Sequence, residues 1–281
     1  MSGLAAELRR SPLLAAGLIV VILLTAVATL APHIAPFDPK AIVGDALQAP
    51  SSRHLLGTND AGVDIFSELV WGARSTLVVA SAATALVLVI GVLLGLVAGL
   101  YGGLAETAVM RSGDVVLAIP AIPLLIFIAS LAGPSRIVAI VSIGLLGWPQ
   151  VARVVRSQTL SLRSRGFVHA TRGYGAGPLY VMRRHLVPAL GPIIAANLAF
   201  MAGLAVTIEA GLAFIGLGDP TTVSWGAMLE RALRHQAIYV SSMWLWWLLP
   251  AGLAITTAVL GFTFVGVGLE PRFNPRWTRI S

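Results

Sequence analysis

Leu77–Leu100 reads LVVASAATALVLVIGVLLGLVAGL, a run with no charged side chain. A helix needs about 20 consecutive apolar residues to cross the hydrocarbon core of a bilayer. No water is present there to pair a free N–H or C=O, so such a span must be helical. Five further stretches read the same way: Leu13–Ala31, Val115–Ala132, Ile137–Ala152, Ile193–Ile215 and Trp244–Gly268. The fourth span in chain order, Ile137–Ala152, is short, and Trp148 reads as its interfacial end. Alternating strand patterns are not seen.

The whole composition agrees. Of 281 residues, 57% are hydrophobic and 11% are charged. A soluble domain carries roughly 25% charged residues, and a disordered chain is poor in apolar ones. Both classes are excluded, which leaves an all-α integral membrane protein. There is no cysteine, so disulfides, thiol catalysis and cysteine-held clusters are out. Lys40 is the single lysine and stands between Pro39 and Ala41, away from any Gly-Lys-Ser/Thr phosphate loop. If ATP is used, another chain must bind it.

Loop charge gives an orientation. With the N-terminus inside, segments 1–12, 101–114, 153–192 and 269–281 hold 13 arginines against 4 acids. The outer segments 32–76, 133–136 and 216–243 hold 6 basic residues against 7 acids. The positive-inside rule therefore puts both termini in the cytoplasm. Arg9 and Arg10 before an apolar run resemble a signal peptide. The run Leu13–Ala31 exceeds the about 7–15 residues of a signal core, which favours a retained anchor.

Two loops carry patterns of their own. Segment 32–76 opens with Pro32, Pro36, Pro39 and Pro50, so it starts extended. Val63, Phe66 and Val70 then fall at helical spacing, with Asp60 as a candidate N-cap. The simpler reading is a helix lying on the outer leaflet; the other is contact with solute. Segment 153–192 has seven arginines and no acid. Anionic lipid explains the charge but not the apolar pattern. Phe167, Ala170 and Tyr174 share one helical face, and Gly175 sits where the helix should stop. Pro178 suits the first turn of a second helix, which Pro188 should end before the next span. The result is a helix–Gly–helix hairpin whose apolar face fits a groove on a partner.

The residues His169-Ala170-Thr171-Arg172-Gly173-Tyr174-Gly175-Ala176, followed by Arg184-His185-Leu186-Val187-Pro188, resemble the "EAA" loop of binding-protein-dependent ABC-importer permeases. His54-Leu55-Leu56-Gly57-Thr58, Gly72-Ala73-Arg74-Ser75, Ser224-Trp225-Gly226 and Asn274-Pro275-Arg276 narrow the resemblance to the C-type subunit of the dipeptide/oligopeptide/nickel family. The usual acid of the loop is His169 here, a usual small residue is Thr171, and arginines common in the outer motif are Val63 and Glu68. The resemblance implies a type I ABC-importer permease fold. It implies a second homologous permease subunit, two ATP-binding subunits or one fused ATPase, and an extracytoplasmic solute-binding protein. ATP and Mg would be bound by the ATPase partners, with no cofactor in this chain. The location implied is a bacterial inner membrane. The division expected is an anchor and outer segment over 1–72, a permease domain over 73–268 with coupling loop 153–192, and a tail over 269–281.

The coupling residues expected are Phe167, His169, Ala170, Thr171, Tyr174, Gly175, Arg184, His185 and Pro188. Glu209 lies in the fifth span, where a carboxylate costs roughly 2.5–3.5 kcal/mol and should face protein or water. It is a path or gate candidate, or a structural acceptor. His33, His54, His169, His185 and His235 are scattered without metal-ligand spacing. A stand-alone secondary transporter or channel would call for an internal repeat and ion-coupling charges, and a membrane enzyme for clustered catalytic groups. Neither pattern is present, and no nucleic-acid motif accompanies the basic loop.

Overall fold

A computed structural model describes residues 11–270. Arg9, Arg10 and the closing Asn274-Pro275-Arg276 lie outside the described residues. The described chain is helical, with two isolated β-bridges. Its long elements are α1 (Pro12–Thr29), α3 (Ile65–Tyr101), α6 (Arg136–Arg163), α9 (Val187–Phe214) and α12 (Leu248–Leu269). Between them run α2 (Ala31–Ile34), α4 (Gly103–Ala118), α5 (Ala121–Ala132), α7 (Gly166–Gly173), α8 (Pro178–Val181), α10 (Trp225–Arg234) and α11 (Ala237–Val240). Among the described residues, five helices are long and apolar enough to cross a membrane.

The expected span Val115–Ala132 is broken. α4 and α5 meet at 82°, and only counted together do they make a sixth span. Pro120 is the cause. It lacks an N–H and forces Ile119 out of the helical region, to φ −87° and ψ 128°. The expected fourth span also ends too early. α6 continues past Ala152 to Arg163, and Trp148 is buried inside the bundle rather than marking an interface. Arg153 and Arg156 extend it because α4 supplies their acids. Arg153 Nη2 reaches Asp114 Oδ1 at 2.6 Å, and Arg156 Nε donates to Glu106 Oε1 at 2.8 Å.

Small residues set the packing. Gly91, Gly95 and Gly99 form a stripe on α3 at helical i, i+4, i+8 spacing. A Cβ at Gly91 would lie 2.7 Å from Val151 Cβ, and one at Gly99 would lie 2.6 Å from Thr159 Cβ. The backbone of α3 therefore rests directly on α6. α1 docks on α12 in the same manner, where a Cβ at Gly261 would lie 2.6 Å from Val20 Cγ1. The buried apolar side chains fall into two groups. One, around Ile65, Trp225 and Trp247, sits at the end carrying residues 35–64. The other, around Val155, Val168, Val181 and Leu186, sits at the end carrying α7 and α8.

No separate interfacial helix follows the proline-rich stretch. Residues 65–71 belong to the start of α3, which runs unbroken from Ile65 to Tyr101. Its N-cap is Asp64, four residues beyond the expected Asp60, and Asp64 Oδ2 accepts from Ser67 N at 2.8 Å. The segment before it folds on itself. Val43 N donates to Gly62 O at 2.9 Å, and Thr58 N donates to Gln48 O at 3.0 Å. His54 Nδ1 meets Asp64 Oδ1 at 3.0 Å, with both side chains buried. Asn59 Oδ1 accepts from Ala61 N and Val63 N, while its Nδ2 donates to Glu68 Oε2 at 3.0 Å. Arg231 on α10 donates to the other oxygen of Glu68, also at 3.0 Å. Val63 and Glu68 are thus internal.

Candidate functional site

The hairpin is built on a buried root. Val168 on α7, Val181 on α8 and Leu186 are fully buried against Val155 and Leu162 of α6. The opposite side is open. Tyr174 is 93% exposed, Phe167 is 43% exposed and Ala170 is exposed. α7 stops at Gly173, and Gly175 follows with φ +85°, a conformation that a Cβ would strain. Ala176 N then donates to Thr171 O at 3.2 Å, the closing bond of a glycine cap. Gly177 and Pro178 start the second helix.

The other expected loop residues are placed as follows. Thr171 Oγ1 donates to Phe167 O at 2.7 Å, so its hydroxyl is used within α7. His185 is half-buried, with its ring centroid 5.7 Å from that of Phe167 and 6.0 Å from that of Tyr180. Arg184 is exposed. The side chain of His169 lies outside the described residues. Pro188 does not end the second helix, contrary to expectation. Met182–Leu186 forms a π turn and α9 begins at Val187, so the chain is helical from Pro178 to Phe214. Pro188 sits in the first turn of α9, where a missing N–H is tolerated. The wider π turn before it, in which Val187 N bonds Met182 O, gives its ring room.

Arg163 is one of the seven arginines of segment 153–192 whose charge anionic lipid would explain, yet its Nη1 donates to Leu100 O at 3.1 Å and to Gly99 O at 3.4 Å. It satisfies carbonyls left open at the end of α3.

Glu209 lies at the opposite end of the bundle. It is buried on α9, beside Thr76 of α3, Ser224 at the start of α10 and Arg136 at the start of α6. Glu209 Oε2, Thr76 Oγ1 and Arg136 Nε are each buried without a hydrogen-bond partner among the described residues. Ser224 caps α10, and Trp225 Nε1 donates to Leu69 O at 2.9 Å, tying α10 to α3. Asp219, in the preceding loop, accepts from Arg136 N at 3.4 Å and from Thr221 N at 2.8 Å. Slight burial works to raise its carboxyl. The bonds from the Thr221 hydroxyl and N–H and from Arg136 N–H, with the Arg136 charge, outweigh it and hold Asp219 below the usual value. Sequence spacing gave no sign of the Arg136–Asp219 pairing, which joins positions far apart in the chain.

The bundle and its bent helix pair define a helical multi-pass membrane protein. The chain belongs to the family of binding-protein-dependent transport system inner membrane components, whose match covers residues 91–279. Residues 5–50 match the N-terminal transmembrane domain of oligopeptide transport permease C. The chain is 35% identical to the dipeptide transport system permease protein DppC of Alkalihalophilus pseudofirmus, over 96% of this chain and 88% of that one. It is 34% identical to the glutathione transport system permease protein GsiD of Pectobacterium atrosepticum, over 96% and 88%. It is 35% identical to the nickel transport system permease protein NikC of Escherichia coli, over 92% of both chains. This is a family of ABC-transporter permeases of the bacterial inner membrane, not of enzymes.

Proposed function

We propose that this chain forms half of the solute path of an ATP-driven importer for peptides or a related small solute. A second homologous permease supplies the other half, separate ATPase subunits dock on the hairpin of α7 and α8, and an extracytoplasmic protein delivers the solute. The observation that carries the reading is the two-sided hairpin. Its buried side roots it in α6, while Phe167, Ala170 and Tyr174 are left uncovered. A rooted element with an open apolar face is suited to pass a partner's movement into the bundle. Both termini and the hairpin then lie in the cytoplasm, and residues 35–64 with α10 lie outside.

The coupling follows from differential fit. ATP draws the ATPase subunits together, the hairpin is held differently in the two arrangements, and the bundle turns from inward-open to outward-open. ATP and Mg stay on the partner chains. The test is co-purification. ATPase subunits encoded beside this chain should co-elute with the wild type and be lost from Ala170→Asp, while both chains reach the membrane in similar amounts. Retention of the ATPase by Ala170→Asp overturns the docking site.

A further inference from the structure

A cavity of about 540 Å³ opens at the end of the bundle carrying residues 35–64. That is within the roughly 300–1,000 Å³ of pockets that hold small molecules. Three cations line it, Lys40, Arg74 and Arg136, against one acid, Asp38. Asp38 Oδ1 accepts from the backbone Lys40 N at 2.8 Å and keeps its charge, so the lining still carries two positive charges in excess. Among the described residues none of the three cations has a carboxylate within ion-pair distance. The guanidinium of Arg74 lies over the Trp71 ring at 5.4 Å, which limits where it can point. Arg136 also feels the charges of Glu209 and Asp219, which leaves Lys40 and Arg74 as the main cations of the cavity.

The neighbouring cavity, of about 460 Å³, shares the Lys40 wall but not this character. There Arg231 is paired with Glu68 and Arg234 with Glu230. The excess positive charge is therefore confined to the first cavity. Like charges gathered around one space repel, and a carboxylate entering it relieves that repulsion with charge-assisted bonds. A planar guanidinium held against an aromatic ring is suited to a carboxylate.

We propose that this cavity receives a carboxylate of the transported solute as the solute passes from the binding protein into the path. The proposal rests on the permease reading above. It gives the permease a selectivity of its own, for solutes that carry a free carboxylate. Affinity there is weak, since the solute must leave again.

The test is saturation-transfer NMR on the assembled transporter in detergent, without binding protein. L-alanyl-L-alanine and its C-terminal amide serve as probes. The dipeptide should give a signal and the amide none. Arg74→Gln should weaken dipeptide binding roughly tenfold, the effect of losing one charge-assisted bond. Arg53→Gln, an exposed cation at the same end outside the cavity, should leave it unchanged. No dipeptide signal, equal signals from dipeptide and amide, or equal losses in Arg74→Gln and Arg53→Gln each overturn the proposal. ATP hydrolysis stimulated by the binding protein is measured on the same preparation. Stimulation without dipeptide binding sinks the cavity alone, whereas absence of ATPase subunits from the assembly sinks the permease reading. If Arg74→Gln raises only the half-saturating concentration of binding protein, with the dipeptide signal intact, the cavity takes an acidic side chain of that protein, and the proposal fails.

Discussion

Arg163 Nη1 donates to the carbonyl oxygen of Leu100 at 3.1 Å, so the last turn of α6 closes the end of α3. Two helices far apart in sequence are tied at the end where the hairpin begins. Arg163→Gln should destabilise the chain by about 1 kcal/mol, the net worth of such a bond. Thermal unfolding in detergent checks it, with Arg165→Gln as the comparison, since Arg165 is exposed. Equal melting of the two variants would show that the cap contributes nothing.

Gly175→Asp should weaken ATPase docking on the hairpin without removing the chain from the membrane. A side chain there is strained at φ +85°, and the turn between α7 and α8 must shift to accommodate it. Ala170→Asp should act differently, by placing a charge on the open face. Solute-stimulated ATP hydrolysis and uptake should fall in both, with membrane abundance near normal. Similar losses in Arg165→Gln would point to general damage.

Glu209→Gln tests the buried carboxylate. It keeps the shape and removes the charge beside Arg136, Thr76 and Ser224. If the charge serves the path or gate, uptake should drop while the assembly stays intact. Wild-type uptake by the variant leaves Glu209 a structural role only.

Orientation is open to chemical labelling. Ser51 and Ser164 are exposed and lie at opposite ends of the bundle. In an otherwise cysteine-free chain, a cysteine at Ser51 should react with a membrane-impermeant reagent in cells whose outer membrane is permeabilised. One at Ser164 should react only after the inner membrane is opened. The reverse pattern overturns the assignment of sides.

Asp219 gives a pH signature. Its folded-state value lies below the usual carboxylate value of about 3.9. Protonation is therefore harder in the folded state than in the unfolded one. The stabilisation is complete above the unfolded value and is lost as pH falls through the folded one. Asp219→Asn should therefore be less stable than wild type near neutrality, and the gap between the two should narrow as pH falls. Melting temperatures at pH 6 and pH 3 check this, and a gap that stays constant overturns it.

Hydropathy revealed most of the bundle because runs such as Leu77–Leu100 contain no charge to interrupt them. It misplaced helix ends wherever tertiary partners neutralise charge. α6 runs through Arg153 and Arg156 because Asp114 and Glu106 wait on α4, a pairing that no local window contains. Pro120 was visible in the sequence, yet counting apolar residues across it produced one span where there are two bent pieces. The hairpin was more legible, since Phe167, Ala170, Tyr174 and Gly175 are local signals. The buried His54–Asp64 contact was not, because the turn geometry that brings the two together cannot be read from a spacing of ten residues.

α3 spans 37 residues, about 55 Å at 1.5 Å per residue. Along its glycine stripe the backbone of α3 touches Val151 and Thr159 with no slack for a methyl group. If the proposed coupling holds, a push delivered near Gly175 is not lost to α6 sliding over α3, because the packed pair moves as one stiff rod towards the Glu209 end.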